Sequence, residues 1–332
     1  MIDRRRATFS FAVLAVAATA LSSCVPGDAR SLVRDDSDVR IVRFTIGLAP
    51  SGPANRTLGE ALAREYQQQA TGHRLELLES DGGAVDTLDA IQRGTTDCGV
   101  SLADVTYLAY AGRLSGRPQP YDDVRGVTVL DVAPIHVLAR PGSGIRQLRD
   151  LPGHIVALGP PGSETRVAAG LVLQAFGVDP ATVHAVHPRF DEAAASLKQG
   201  AVDAMFFTAS APAALVQSAI DDGARLLPLQ GDAVVGLLQR YPFLRFARIH
   251  GGIYTSHDEA VRTIGVEKVV LCRRGLADDL VYELASHLFE LLPRVAESAG
   301  REWYSALGHA PATPVPLHAG AASFFREREL FP

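Results

Sequence analysis

The segment GPPGSETR, residues Gly159–Arg166, carries the residue types of an anion-binding turn. It lies between a short apolar run that is typical of a strand and an alanine-rich stretch that is typical of a helix. Such a turn can cradle a phosphate, expose a nucleophile or hold a carboxylate. A phosphate-binding P-loop needs a lysine that this segment lacks. A hydrolase elbow needs a glycine two residues after the serine, and here Glu164 and Thr165 follow Ser163.

Carboxylate binding suits this turn better than the other two roles. Backbone N–H groups at the start of a helix have no partner within the helix, and the hydroxyls of Ser163 and Thr165 add polar groups beside them. Arg166 adds a guanidinium that can pair with both oxygens of a carboxylate. The structural alternative is that Ser163 only caps its own helix and Arg166 pairs with a surface acid.

The other candidate ligand-binding residues lie close to the starts of predicted helices or at the end of a predicted strand. They are Ser51, Asn55 and Arg56, before a helix predicted from Thr57, and Gly82, Gly83, Ser101 and Gly162. A glycine lets the backbone approach a ligand, but it also simply makes a turn. An arginine on a solvated helix end is equally ordinary. These residues form one site only if the fold brings their loops together.

The remaining polar residues do not support a metal site or a catalytic centre. His184 and His187 are the only close histidine pair, and a spacing of three in an extended segment places them on opposite faces. Tyr107 and Tyr110 have helical spacing, which favours packing. The sequence contains no HExxH motif, no CxxC motif and no evident triad. We therefore expect no metal, no cofactor and no enzymatic activity.

Alternating strand-like and helical patterns position these loops. The alternation runs from Ile41 to Ala111 and restarts after the long apolar run Val127–Ala139. This predicts a mostly parallel sheet covered by helices. Val127–Ala139 and a second extended run, Ile264–Cys272, have the length of strands that cross between lobes. The predicted fold class is α/β, with two β-α lobes joined by two crossing strands and a ligand crevice between them.

The first residues are typical of a bacterial export signal. Arg4–Arg6 precede the apolar run Phe9–Leu21, which is too short to span a membrane. The segment Leu21–Cys24 resembles the lipobox of bacterial lipoproteins, in which the cysteine becomes the lipid-modified first residue. We predict a signal peptide over residues 1–23, lipidation of Cys24 and a polar tether over residues 24–40. Ordinary secretory cleavage near a cysteine is the alternative.

Charge and cysteine content narrow the class of partner. Cleavage before Cys24 removes one acidic and three basic residues, which takes the net charge from −5 to −7. Such a protein does not attract nucleic acid. Cys98 and Cys272 both lie in apolar, strand-like runs. Exported proteins form disulfides, but buried free thiols are the interpretation that we favour for this pair.

Three motifs together resemble the TAXI-type (TRAP-associated extracytoplasmic immunogenic) solute receptors of TRAP transporters. They are Asp81–Asp86, the segment Asp97–Val100 with Asp104, Val105 and Tyr107, and the loop Gly159–Arg166. Supporting matches are Arg225–Leu229, Tyr241–Phe243, Ile249–Tyr254, Leu280–Glu283 and Pro314–His318. The similarity runs in order through residues 41–328, which makes it more specific than any single loop.

The resemblance implies a type II periplasmic-binding-protein fold whose two lobes close on a small carboxylate. Lobe 1 is expected to comprise residues 41–132 and 262–332, and lobe 2 residues 133–261. The resemblance also implies a periplasmic receptor, which we expect to be a monomer, and the lipobox-like segment predicts that it is anchored through Cys24 to the cell membrane or the outer membrane. It would deliver a glutamate-like or oxo acid to an ion-coupled TRAP membrane transporter. A solute sensor or envelope interaction protein on the same fold is the alternative.

Two departures from the family concern the ligand. Asn55 and Arg56 stand where the family has paired tyrosines, and Leu102 and Ala103 stand where it has a Gln-Ser pair. One wall of the expected crevice has therefore lost polar contacts, and another has gained an arginine. We expect Leu102 and Ala103 to favour a ligand with an apolar portion.

Overall fold

The fold is described from a computed structural model of the 332-residue chain. The described residues are 39–47, 52–68, 72–80, 83–298 and 309–330. The predicted signal peptide, the lipidation residue Cys24 and most of the tether lie outside them, as do the candidate ligand residues Ser51 and Gly82. Residues from Val39 onward form one compact unit.

Strands and helices alternate along most of the chain, as the sequence predicts. The strands are β1 (Arg40–Gly47), β2 (His73–Ser80), β3 (Cys98–Leu102), β4 (Val124–Ala139), β5 (Ile155–Ala157), β6 (His184–Val186), β7 (Ala204–Thr208), β8 (Arg225–Leu226), β9 (Leu244–Ile249) and β10 (Val261–Arg273). The helices are α1 (Gly52–Gln68), α2 (Ala84–Arg93), α3 (Ala103–Tyr110), α4 (Glu164–Ala175), α5 (Phe190–Gln199), α6 (Ala214–Asp221), α7 (Asp232–Arg240), α8 (Asp278–Ser298) and α9 (Ala319–Glu327).

The first helix begins earlier than its sequence pattern indicates. α1 starts at Gly52 rather than near Thr57, so Asn55 and Arg56 lie within the helix and not in the loop before it. Pro53 explains the difference, because proline has a backbone angle suited to the first turn of a helix and needs no N–H partner there.

All of the described strands belong to one sheet, with the order β2-β1-β3-β10-β4-β7-β5-β6. β8 adds to β4, and β9 adds to β10. The pairs toward the two ends of this order are parallel. In the middle, β10 is antiparallel to β3, β4 and β9, and β4 is antiparallel to β7 and β8. The sheet is therefore mixed, and the expectation of a mostly parallel sheet is wrong.

The two long strands in the middle, β4 and β10, are the runs that the sequence predicts as crossing strands. β4 has 16 residues and β10 has 13, which corresponds to roughly 50 Å and 40 Å. β4 pairs with β10 through its first half and with β7 through Ile135–Ala139. Each long strand thus connects the two halves of the sheet. The division into lobes at residues 132 and 262 stays a prediction.

Helices cover both faces of the sheet. One cluster of buried side chains comes largely from α2, α3, α4 and α7 and includes strand residues from both halves of the sheet. Two further clusters lie under α1, α8 and α9 and under α5 and α6. Tyr107 of α3 packs against Phe243, with ring centroids 5.4 Å apart, so the packing role predicted for Tyr107 is confirmed. Burial of a large apolar side chain contributes about 1.5 to 3 kcal/mol, and these clusters hold the helices on the sheet.

The two strand cysteines are free and buried. Cys98 and Cys272 lie directly opposite each other in the antiparallel pairing of β3 with β10. Burial raises the pKa of both thiols. The preferred interpretation of buried free thiols is therefore confirmed. None of the described helices is both long enough and apolar enough to cross a lipid bilayer.

Candidate functional site

Three helix starts come together at the carboxyl ends of strands. α2 begins after the extended residue Gly83, α3 begins directly after β3, and α4 begins at Glu164. α3 packs against both α2 and α4. The Ser101 hydroxyl, near the end of β3, donates to the Ala84 carbonyl oxygen at 3.2 Å. Unpaired N–H groups at such helix starts are suited to bind an anion.

The loop before α4 is built as a helix cap. The Ser163 Oγ accepts the N–H of Arg166 at 3.2 Å and donates to the Pro160 carbonyl oxygen at 2.8 Å. Gly159 and Gly162 have φ angles of 92° and 78°, a left-handed backbone that glycine adopts readily. The capping role of Ser163 is therefore confirmed. Ligand contacts of Gly162 and Ser163 stay predictions.

A hydrogen bond to Thr165 links the start of α4 to the sheet. The side chain of Thr165 is fully buried, and its Oγ1 accepts the N–H of Thr208 at 3.1 Å. Because Thr208 ends β7, this bond holds the start of α4 over the neighbouring strand. A bond from the Thr165 hydroxyl hydrogen to a ligand stays a prediction.

The two candidate arginines are both exposed. The Arg56 Nε lies 2.8 Å from the Glu79 Oε1, and the two side chains are 47% and 48% exposed. Asn55, beside Arg56 in the same helix, is buried. The guanidinium of Arg166 forms no ion pair with any residue of the described stretches, and it faces solvent beside the start of α4. The structure therefore gives Arg56 a carboxylate partner and leaves Arg166 available to a solute.

A buried acid, Glu164, lies at these helix starts and was not among the predicted site residues. Glu164 is only 2% exposed. Within the described part of the chain its Oε2 has no hydrogen-bond partner. Burial, together with the nearby carboxyl groups of Asp104 and Asp86, raises the pKa of Glu164 to about 8, although the backbone N–H groups of Glu164 and Ala84 act in the opposite direction.

A second buried acid, Asp104, lies in the first turn of α3. Its Oδ1 accepts the N–H of Val105 at 2.7 Å, and its Oδ2 has no hydrogen-bond partner among the described residues. Burial raises the pKa of Asp104 to about 7. Acids in the first turn of a helix usually point to solvent and complement the helix dipole. Sequence pattern alone therefore does not mark Asp104 and Glu164, although both follow strands within the motif segments.

A buried charged cluster lies where β4, β10 and the end of β7 meet. The Lys268 Nζ lies 3.7 Å from the Asp131 Oδ1 and 3.3 Å from the Ser210 Oγ. The Ser210 hydroxyl donates to the Asp131 Oδ2 at 3.2 Å. These residues were also not predicted, because single polar residues in a long apolar strand do not reveal their partners. The cluster joins the two long strands.

A cavity of about 1000 Å³ opens beside this cluster. Asp131 and Ser210 line it, together with the exposed side chain of Phe246. Arg248 and Arg262, which lie opposite each other in the pairing of β9 with β10, also line it. None of the residues at the starts of α2, α3 and α4 lines this cavity. It is therefore a separate opening from the helix-start site.

One member of the close histidine pair, His187, contacts the loop before α4. The His187 Nδ1 lies 3.1 Å from the Gly159 carbonyl oxygen, a contact that supports the loop before α4. Within the stretches that the structure describes, no group of three His, Cys, Asp or Glu side chains is placed to hold a metal ion.

A family model, described as NMT1-like, matches residues 46–328. The chain belongs to the NMT1-like family. The NMT1-like chain is similar to the crystal structure of the periplasmic aliphatic sulphonate binding protein SsuA from Escherichia coli, with 19% sequence identity and a TM-score of 0.51. That similarity covers 88% of this chain and 94% of SsuA.

A second solved structure resembles the NMT1-like chain at similar length. Protein AF1704 from Archaeoglobus fulgidus shares 13% sequence identity with a TM-score of 0.50, and the match covers 88% of this chain and 98% of AF1704. At these identities the likeness concerns the fold. The predicted α/β fold of periplasmic binding proteins is confirmed.

Proposed function

We propose that this NMT1-like protein is an extracytoplasmic solute-binding receptor of the TAXI type. It binds a small carboxylate, glutamate-like or an oxo acid, between two lobes and delivers it to an ion-coupled TRAP membrane transporter. It acts as a monomer in the periplasm, without catalytic activity. Lipid on Cys24 anchors it to the cell membrane or the outer membrane.

The observation that carries this proposal is that the starts of α2, α3 and α4 lie together at the carboxyl ends of strands. α3 packs against both α2 and α4. α2 follows β2 at one end of the sheet order, and α4 follows β5 near the other end. Backbone N–H groups of helices from both halves of the sheet are therefore brought together, which is the arrangement that a solute carboxylate needs.

Two further features support a receptor rather than an enzyme. The chain follows the fold of SsuA, a protein named as periplasmic and as binding aliphatic sulphonates. The export-signal pattern and the lipobox-like segment that ends at Cys24 support a location outside the cytoplasm and near a membrane. The helix-start site supplies backbone N–H groups, hydroxyls and Arg166, which bind an anion without transforming it.

Calorimetry on the mature, detergent-solubilised protein tests the proposal. We expect L-glutamate or 2-oxoglutarate to bind, and a neutral sugar of similar size, which has no carboxylate, not to bind. Tight binding of a neutral solute, with no binding of either acid, would contradict carboxylate recognition. Small-angle scattering should show a smaller radius of gyration at saturation, because a solute that contacts both lobes favours the closed form.

A solute sensor or envelope interaction protein is the second candidate. Its supporting observation is the altered first loop, in which Asn55 and Arg56 stand where the TAXI-type receptors have paired tyrosines. Uptake of a labelled acid by cells separates the two functions. Loss of uptake on deletion of this protein supports transport, whereas binding in vitro with unchanged uptake supports sensing.

A further inference from the structure

Two arginines of neighbouring strands line the cavity beside the Lys268 cluster. Arg248 of β9 and Arg262 of β10 lie directly opposite each other in the antiparallel pairing. Side chains at opposite positions share one face of the sheet, and like charges there repel each other. Both arginines are exposed, and neither forms an ion pair with any of the described residues. Their charges therefore do not stabilise the pairing of the two strands.

A third arginine of the same strand pair shows the contrast. The Arg245 Nη2 of β9 lies 2.8 Å from the Oε1 of Glu267, a buried acid of β10. The chain thus supplies a carboxylate to Arg245 and none, among the described residues, to Arg248 or Arg262. An anion from outside the chain is the counter-charge that these two guanidinium groups lack.

The start of α7 adds backbone donors to the same cavity. α7 begins at Asp232, and no side chain caps it at Gly231. Both residues line the cavity, and the first N–H groups of a helix have no partner within the helix and favour an anion. Two acids line the cavity as well. Asp131 is balanced by Lys268, so the two arginines outweigh the remaining charge of Asp232.

Apolar side chains of the cavity are left open to solvent. Val235 of α7 is 45% exposed and Phe246 of β9 is 67% exposed, and both line the cavity. They are two of the four large apolar side chains that are exposed among the described residues. Removing apolar surface from water is favourable, so these positions suit the apolar part of a ligand. The cavity volume of about 1000 Å³ is that of a small-molecule site.

We propose that this cavity is a second binding site, which takes an organic acid with an apolar chain. The anionic head of the acid pairs with Arg248 and Arg262, and its chain lies against Val235 and Phe246. The inference is independent of the proposed carboxylate receptor, because no residue at the starts of α2, α3 and α4 lines this cavity.

Calorimetry with sodium octanoate tests this second site. Octanoate joins a carboxylate to an apolar chain, acetate has the carboxylate alone, and octylamine joins the chain to a positive charge. Each is titrated into the mature protein, the double variant Arg248→Ala/Arg262→Ala and the variant Phe246→Ser, and a titration of detergent alone is subtracted. Arg225→Ala is the matched control, because it removes an exposed strand arginine that does not line the cavity.

The wild type should bind octanoate at least about tenfold more tightly than acetate and should not bind octylamine. The double variant should bind octanoate at least about tenfold more weakly, Phe246→Ser at least about threefold more weakly, and Arg225→Ala within about twofold of the wild type. Absence of octanoate binding to the wild type overturns the inference, as does an unchanged affinity in the folded double variant. If the double variant fails to fold, Arg248→Gln/Arg262→Gln decides by the same comparison.

Thermal unfolding separates a ligand site from a structural role of the arginines. The double variant should be at least as stable as the wild type without ligand, because its two like charges are gone. Octanoate should raise the unfolding temperature of the wild type and of Arg225→Ala, but not that of the double variant. An equal rise in all three proteins contradicts binding at the arginines.

Arg166→Ala keeps the two sites distinguishable. It should leave the octanoate affinity within about twofold of the wild type, since Arg166 lies at the helix-start site. Loss of octanoate binding in Arg166→Ala, with no loss in the double variant, would place octanoate at the helix starts and overturn the second site. Failure of L-glutamate and 2-oxoglutarate to bind would instead count against the proposed receptor and leave the second site standing.

Discussion

The Lys268 ammonium lies 3.7 Å from the Asp131 carboxylate, with both residues almost wholly excluded from water. Lys268 belongs to β10 and Asp131 to β4, and Ser210 after β7 bonds to both side chains. Removing two charges from water is costly, and their attraction offsets that cost only while both are present. The pair therefore fixes how the two long strands meet the second half of the sheet.

Substitution of one member of this pair should be more harmful than substitution of both. Lys268→Met leaves the Asp131 carboxylate buried without its counter-charge, which should lower the free energy of unfolding by about 3 to 5 kcal/mol. The double variant Lys268→Met/Asp131→Leu should recover most of that loss. Urea unfolding followed by circular dichroism measures both. A double variant as unstable as the single one would show that the ion pair is not the cause.

An exposed ion pair provides the matched control. Arg56 and Glu79 are each about half exposed, and such pairs contribute about 0 to 1 kcal/mol because water and salt screen them. Arg56→Ala should therefore change the free energy of unfolding by less than about 1 kcal/mol in the same urea experiment.

Rising pH should destabilise the protein through its buried acids. The pKa of Glu164 is about 8, above its ordinary value of 4.5, so between these values the folded state keeps a proton that the unfolded chain releases. Stability is then fully present below the unfolded pKa and falls by about 1.4 kcal/mol per pH unit per group until the folded pKa is passed. Burial raises the pKa of Asp104 and of Glu267 to about 7 each. Both groups therefore make the free energy of unfolding fall more steeply as the pH rises.

The variant Glu164→Gln isolates one contribution to this slope. Its free energy of unfolding should fall less than that of the wild type between about pH 5 and pH 8, because one group no longer titrates. Denaturant unfolding at several pH values provides the measurement. A slope identical to that of the wild type would mean that Glu164 titrates normally in the folded protein.

The strands and helices were predictable because their apolar spacing is local information. β4 and β10 carry long and largely apolar runs, which are typical of strands buried on both faces, and Ser163 marks the start of α4 because serine caps helices. The direction of the middle strands was not predictable in this way. Their antiparallel pairing follows from the path of the chain between the two halves of the sheet, which local spacing does not record.

In the site, too, features set by adjacent residues were predictable, whereas features set by contacts between distant segments were not. The turn around Ser163 was recognisable from adjacent residues. The burial of Glu164 depends on Ala84 and Asp104, which approach it only in the folded chain. The Lys268–Asp131 pair likewise joins residues far apart in sequence. Residue types near helix starts can be predicted from sequence, whereas which of them is buried depends on packing between elements.

Cys98 and Cys272 should be unreactive in the native protein. They lie opposite each other on β3 and β10, and burial raises the pKa of both thiols. The thiolate is the reactive form, so a thiol reagent at pH 8 should label neither residue before unfolding and both after it. Mass spectrometry of unreduced protein that shows a Cys98–Cys272 disulfide would contradict the free thiols.

The lipid anchor can be tested at Cys24, which lies outside the described residues. Cys24→Ala should leave the precursor uncleaved or release the protein from membranes, because acyl chains contribute about 0.8 kcal/mol per buried methylene and stable anchoring needs more than one chain. Metabolic labelling with a radioactive fatty acid and membrane fractionation give the measurement. Cys98→Ala serves as the control and should keep its label. Label retained by Cys24→Ala would contradict lipidation at this residue.

Arg166 and Arg56 should differ in their effect on acid binding, although the sequence places both near helix starts. The Arg166 guanidinium has no partner among the described residues and lies beside the start of α4, whereas Arg56 is paired with Glu79. Arg166→Ala should weaken binding of L-glutamate or 2-oxoglutarate about tenfold, which is 1.4 kcal/mol. Arg56→Ala should weaken it less than about threefold.

A conservative variant distinguishes charge from geometry at Arg166. Lysine keeps the positive charge but cannot offer two parallel N–H donors to a carboxylate, so Arg166→Lys should bind with an affinity between those of the wild type and Arg166→Ala. Higher salt should reduce the differences in acid affinity among the wild type, Arg166→Lys and Arg166→Ala, because the exposed side chain of Arg166 is screened by ions. If calorimetry shows that acid binding is the same in Arg166→Ala as in the wild type, Arg166 has no part in the site. The backbone N–H groups at the starts of α2 and α4 would then be left as the hydrogen-bond donors to the anion.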